Sequence, residues 1–307
     1  MNFMEFAVWG SYLTSLGNFL SRNGLAAEIG WFYAVQGLVS LFMPSVIGII
    51  ADRWIQAQRM LSLSHLLAGI FMAAAGVYCM TASSIEFAPL FTLYTLSVAF
   101  FMPTIGLANS VAFNALTKAK MDTIKDFPPI RIWGTIGFIC AMLFVNFVGP
   151  EGAHFQTSYM QLFTSAFFSF VLMFYALTMP KCPTSEVAKG ASVSESLGLN
   201  AFKLFKQKRM AIFFLFSMLL GVSLQITNGY ANPYITSFEN IPEFANAWAA
   251  RNANALISLS QISETLCILL IPFCLKRFGI KGVMLMSMFA WVFRFGFFGA
   301  GNPDGGL

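Results

Sequence analysis

NANALISLSQISETLCILLIPFCL, residues Asn252 to Leu275, decides the fold: in 24 residues the only ionisable side chain besides two cysteines is Glu264. A helix of that length spans about 36 Å at 1.5 Å per residue, enough to cross a bilayer. Near the hydrocarbon midplane an ionised acid costs at least ~2.5 kcal/mol, so such a residue faces a bundle interior or a wet cavity and marks a route for protons, ions or solute. Gln261 stands one turn earlier on the same helix face. The pair points to passage of a solute through the membrane.

The rest of the chain agrees. Its 307 residues are 57% hydrophobic and 10% charged, against about 25% charged in a soluble domain. Charges bound apolar runs near residues 3–21, 29–51, 60–85, 87–117, 132–150, 157–180, 210–238, 252–275 and 282–301, which predicts nine membrane helices. The first and last are the least clean, carrying Glu5 and Arg294.

A net charge of +5 could suggest nucleic acid, but its placement does not. Counting loops after the first helix, 14 of the 18 basic residues fall in the even loops, and the odd loops hold only Arg22 and Arg251. The bias of Lys and Arg towards cytoplasmic loops puts the even loops and the N-terminus inside the cell. Nucleic-acid binding is not needed to explain the basic balance. The five cysteines show no metal or redox spacing and read as packing residues.

The longest polar connection, residues 180–209, divides a six-helix bundle (1–179) from a partial second bundle (210–307). It begins as a Pro/Ser/Gly linker and ends in the basic amphipathic stretch Phe202 to Arg209, suited to an anionic leaflet. GIIADRWIQAQRM, Gly48 to Met60, is echoed 224 residues later by PFCLKRFGIKGVM, Pro272 to Met284. A parallel repeat of six helices, as in major facilitator transporters, has this form. Gly48, Asp52, Arg53 and Arg59 fit that superfamily's loop between helices two and three, which resembles a cytoplasmic latch; the plainer reading is a positive-inside loop.

Three stretches carry polar groups into the apolar runs. In DFPPIRIWGTIGF, Asp126 to Phe138, the residues Arg131, Thr135 and Phe138 form one helical stripe. Arg131 reads equally as a ligand or as a side chain snorkelling from the helix end, with Phe138 facing lipid. In LQITNGYANPYITSF, Leu224 to Phe238, Gln225 and Asn228 share a face, and Asn232-Pro233 should bend or unwind the helix beyond them. Gln261 and Glu264 complete the set, with Arg131 and Arg294 as the intramembrane cations available to the acid. Arg294 is expected to snorkel outwards and His65 to be packed or hydrogen-bonded. One base and one acid suit an uncharged, hydroxyl-rich, planar solute rather than a nucleotide, whose phosphates would want several basic groups.

DFPPIRIWGTIGF, LGLNAFKLFKQKRMAIFFLFSMLLGVSLQITN and SLSQISETLCILLIPFCLKRFGIKGVM resemble the bacterial nucleoside:proton symporters of the major facilitator superfamily, over about Trp9 to Pro303. That resemblance implies an all-α integral membrane fold with nine of an expected twelve helices. It also implies a multi-pass protein of the bacterial inner membrane, with nucleoside and proton as its partners, no cofactor, no metal and no obligate protein partner. By the same similarity Arg131, Thr135, Phe138, Gln225, Asn228, Gln261 and Glu264 match the family's nucleoside pocket, with Glu264 coupling the proton. Helices ten to twelve, including an acidic residue of the tenth, are expected to be missing. An oligosaccharide:proton symporter and a non-transporting fragment stand as alternatives. The hydrolase and metalloenzyme motifs His-Glu-x-x-His and Gly-x-Ser-x-Gly do not occur, which argues against an enzyme.

Overall fold

The computed structural model describes residues 1–150, 154–184 and 205–301. Its elements are α1 (Asn2–Gly10), α2 (Leu16–Arg22), α3 (Ile29–Arg53), α4 (Ala57–Thr81), α5 (Phe87–Lys118), α6 (Thr123–Phe147), α7 (Met160–Leu177), α8 (Lys208–Ser237), α9 (Trp248–Arg251) and α10 (Ala253–Ala300). Single 3-10 turns lie at Phe155–Thr157 and Phe238–Asn240. Among the described residues seven helices are long and apolar enough to cross a membrane. All-helical architecture follows from that solvent, because hydrocarbon offers backbone groups no partner outside the segment itself. The linker expected over 180–209 is described only at its ends, so its Ser/Gly portion and the residues Phe202 to Leu204 lie outside the described residues.

The first apolar run is not one regular helix. Between α1 and α2 the Tyr33 hydroxyl enters the backbone ladder: it donates to the Leu13 carbonyl and accepts from the Gly17 N–H, the two groups an unbroken helix would pair. An inserted side chain is a known cause of a local break. The insertion also ties α3 to the first run, and Tyr12, Phe32 and Tyr94 fill the core beneath it.

Within residues 1–184 the tightest packing is of α4 on α5 and α7, and of α1 on α6. Several polar groups in this bundle are paired across helices: Ser165 Oγ donates to the Val8 carbonyl at 2.9 Å, and Gln36 Nε2 to the Tyr94 hydroxyl at 2.7 Å. Large apolar side chains such as Trp31, Phe42, Phe167 and Phe174 point outward. That is the expected outer surface of a bundle whose solvent is lipid.

Two expectations of helix form change. The loop expected between runs 252–275 and 282–301 is reduced to a corner at Gly279, whose φ of 67° and ψ of 171° only glycine adopts readily. Asn232-Pro233 does not unwind α8, which runs through to Ser237. The donor that Pro233 lacks is one backbone bond near the helix end, and the surrounding polar side chains hold that end in place.

α2 and α8 approach closely at Gly17, where an added Cβ would lie 2.2 Å from the Gly229 carbonyl oxygen. Gly17→Ala should therefore force the two helices apart, costing about 1–3 kcal/mol. A fall in the midpoint of thermal unfolding of the purified protein would register the loss, and an unchanged midpoint would contradict this packing.

Candidate substrate and proton site

The two halves of the chain, 1–184 and 205–301, are joined by a seam of side-chain hydrogen bonds. Asn18 Nδ2 donates to Asn232 Oδ1 at 2.8 Å and to Thr236 Oγ1 at 3.0 Å. Asn232 Nδ2 and Thr14 Oγ1 both donate to Asn254 Oδ1, at 2.7 and 2.9 Å. Asn146 Nδ2 donates to Asn252 Oδ1 at 2.9 Å and Gln156 Nε2 to the Arg251 carbonyl at 3.1 Å, while Arg22 pairs with Glu239 at 2.8 Å. Asn18, Asn232 and Asn254 are 3%, 0% and 0% exposed, so these amides see no competing water. Every one of these contacts lies towards the odd-loop ends of the helices. Among the described residues no side-chain hydrogen bond joins the halves at the even-loop ends.

Below the seam stand the residues singled out in the sequence. Arg131 is half-buried on α6, with its guanidinium 4.0 Å over the centre of the Phe6 ring. A cation on an aromatic face is held without using any of its N–H donors. Thr135 lies one turn on, also half-buried. Phe138 is 7% exposed and meets Trp9 edge-on at 6.4 Å, which removes the lipid-facing reading and leaves only part of its ring free to stack.

Across from them on α8, Gln225 Nε2 donates to the Tyr33 carbonyl at 3.3 Å, and Asn228 Nδ2 donates to Gln225 Oε1 at 3.2 Å. The two carboxamides thus orient one another, as their spacing predicts. Gln261 is half-buried on α10 and Glu264 is exposed. Of the two settings expected for it, a bundle interior or a wet cavity, its exposure fits the second; the helices packed on α10 among the described residues are α6, α8 and α9. Its carboxylate lies in the field of Arg294 and of Arg131. Among the described residues no side-chain hydrogen bond engages Arg131, Thr135, Gln261 or Glu264, which leaves their polar atoms for a ligand.

Arg294, expected to snorkel outwards, lines an apolar cleft of about 610 Å³ between α8 and α10, beside Ser260, Ser263 and Tyr234. None of the seven sequence-selected residues lines that cleft. Of the loop residues assigned to a latch, Asp52 and Arg59 are exposed where α3 ends and α4 begins. Sequence reasoning also passed over Glu5, which is 1% exposed and sits beside His65. An acid inside the first apolar run was the signal for it.

The whole arrangement matches one family model, described as nucleoside H+ symporter, over residues 1–305. The chain belongs to the nucleoside H+ symporter family. It is 44% identical over 306 residues to the xanthosine permease of Escherichia coli, covering 99% of this chain and 71% of that protein. Over 307 residues it is likewise 44% identical to the nucleoside permease NupG of the same organism, covering 99% and 70%. Its fold is similar to crystal structures of the nucleoside transporter NupG: a mutant form at a TM-score of 0.89 and a second structure at 0.85, both 42% identical and covering 99% of this chain and 73% of theirs. As a family member the chain is a multi-pass bacterial membrane protein, and its relatives are permeases rather than enzymes.

Asn232 is the joint of the seam, accepting from Asn18 and Thr236 and donating to Asn254. Interhelical hydrogen bonds in membranes average about 0.6 kcal/mol and reach ~1.7, so the set rather than any single bond holds the halves. Asn232→Ala should weaken the odd-loop seal, and a cysteine placed at Thr14 should become more reactive to a water-soluble thiol reagent in that background. Unchanged labelling would show that the seam does not depend on Asn232.

Proposed function

We propose that this chain takes up nucleosides in symport with protons by alternating access, with nine of a twelve-helix major facilitator architecture present. Membership of the nucleoside H+ symporter family carries the reading. The seam supports it: among the described residues the side-chain hydrogen bonds between the halves gather towards the odd-loop ends, and a rocking carrier closes one end at a time. With the even loops in the cytoplasm, as their Lys and Arg excess indicates, the seam closes the outer end of a carrier that lies in the inner membrane with a cytoplasmic N-terminus.

In this reading the ribose hydroxyls bond Glu264, Gln261 and Arg131, the base lies near Phe138 and Thr135, and the carboxamides of Gln225 and Asn228 complete its polar edge. The carboxamides are already oriented, so little side-chain freedom is lost when the base binds. Glu264 takes up a proton with the nucleoside and returns it when the cavity faces a less acidic cytoplasm. Gly48, Asp52, Arg53 and Arg59 form the cytoplasmic latch that closes as the odd-loop seam opens.

Uridine uptake by cells lacking their own nucleoside permeases and expressing this chain should rise as the external pH falls. Sugars should not compete, and competition by an oligosaccharide would favour the rival symporter. Glu264→Gln keeps the shape of the site and removes its titration: exchange of labelled for unlabelled uridine should survive while accumulation against a gradient is lost. A mutant that still concentrates uridine would end the proton role of Glu264.

Arg131→Ala removes a charge-assisted donor worth about 1.5–3 kcal/mol. The KM for uridine should rise about ten- to a hundred-fold. An unchanged KM would return Arg131 to the snorkelling reading.

A further inference from the structure

Beside the nucleoside pocket, in the core of the first bundle, lies a second ionisable cluster built from three helices. Glu5 of α1, His65 of α4 and Thr104 of α5 are 1%, 0% and 0% exposed. His65 Nε2 is 2.9 Å from Glu5 Oε2, and Thr104 Oγ1 is 2.6 Å from Glu5 Oε1 and 2.5 Å from the Phe101 carbonyl. His65 Nδ1 is buried with no partner.

Counting hydrogens shows what this geometry requires. Three polar contacts converge on the cluster. With Glu5 ionised and His65 neutral only two hydrogens are available, one on the Thr104 hydroxyl and one on imidazole Nε2. The single Thr104 hydrogen is then claimed by both Glu5 Oε1 and the Phe101 carbonyl, and the carbonyl already has its helical N–H. One added proton fills the set: Glu5 Oε1–H donates to Thr104, Thr104 donates to Phe101, and His65 Nε2–H donates to Glu5 Oε2.

The charged and titratable groups around the cluster are few. α6 contributes Arg131, which lies in the field of Glu5 and whose guanidinium rests on the ring of the next residue, Phe6. The N-terminal amine of Met1 also senses Glu5. α7 has no titratable side chain but Tyr175, and the remaining charges on α3, α4 and α5 (Asp52, Arg53, Arg59, Lys118) stand at the even-loop ends.

We propose that the Glu5–His65–Thr104 cluster is a second proton-binding site of the carrier, coupled to the nucleoside site through Arg131. This inference rests on the symporter reading above. A proton from the outer solution forms the O–H bond at Glu5 Oε1, and that bond breaks to water on the cytoplasmic side. While the proton is held, Arg131 is left to Glu264 and the nucleoside. When it departs, the carboxylate draws Arg131 towards α1 and away from the ligand. In this conformation the cluster is closed to solvent, so loading and release require α1 to move against α4 and α5.

The test uses the full chain in proteoliposomes, with wild type, Glu5→Gln, His65→Gln and Thr104→Val compared in two assays. One is uridine exchange at equal pH on both sides; the other is accumulation driven by an inward proton gradient across a range of external pH. The expected result is exchange within about threefold of wild type, a difference of under 1 kcal/mol, with accumulation lost in Glu5→Gln and its pH midpoint displaced in His65→Gln and Thr104→Val. A purely structural role would lower both activities together and leave the midpoint in place, and that result overturns the proposal. Wild-type pH profiles in the variants that insert overturn it as well. Wild-type protein that exchanges no uridine overturns the symporter reading instead, and this inference with it.

Discussion

The carboxamide seam is the constraint on which the rest of the molecule depends. In water an asparagine side chain exchanges one partner for another at little net cost. In hydrocarbon it has no such alternative, and the buried Asn18, Asn232 and Asn254 are served by one another, by Thr14 and Thr236, and by Arg22. These bonds hold α2 against α8 and α10, and the close approach at Gly17 is possible because no side chain intervenes. The α6 helix packs directly on α10, so the first half meets the second there as well as at the seam. Because each bond is individually weak, the seam can be exchanged for a different set of contacts, which a carrier must do once per cycle.

Much of this was legible in the sequence because the relevant signals are local. Apolar runs bounded by charges mark spanning helices, and seven of them appear as such. Spacings of three and four residues placed Arg131 with Thr135, Gln225 with Asn228, and Gln261 with Glu264 on shared faces, and Asn228 does bond Gln225. What escaped is non-local or conformational. Nothing in the sequence couples Asn18 to Asn232, or Thr14 to Asn254, across more than 200 residues. The Gly279 corner looked like a polar loop because its flanking lysines and arginine resemble one. Tyr33 gave no hint that its hydroxyl would enter another helix's ladder.

Arg294 and Glu5 were visible only as blemishes in otherwise apolar runs, and the structure gives both a place in the electrostatics. Glu5 lies in the field of Arg131, which also feels Glu264, and Glu264 in turn feels Arg294. The chain of charges alternates in sign from α1 through α6 to the two arms of α10. With both acids ionised and His65 neutral it sums to zero, so each bound proton adds one uncompensated positive charge. A membrane protein with no function in charge movement has little reason to keep four such groups at this depth, given what each costs.

In the proposed symport, that alternation would tie proton to substrate without a mobile element dedicated to the task. Arg131 is the one cation shared by both acids, and its stacking on Phe6 holds the guanidinium by its face while its N–H donors stay free. Protonating either acid weakens one of the two pulls on Arg131 and strengthens the relative claim of the other, so its donors turn towards whichever partner remains charged. On the proposed assignment of Arg131 to the nucleoside, a hydroxyl competing for those donors would be bound best when the acid opposing it is neutral. Coupling of this kind needs only the differential affinity that drives any population shift, and the opening and closing of the seam then decides which side of the membrane supplies the proton.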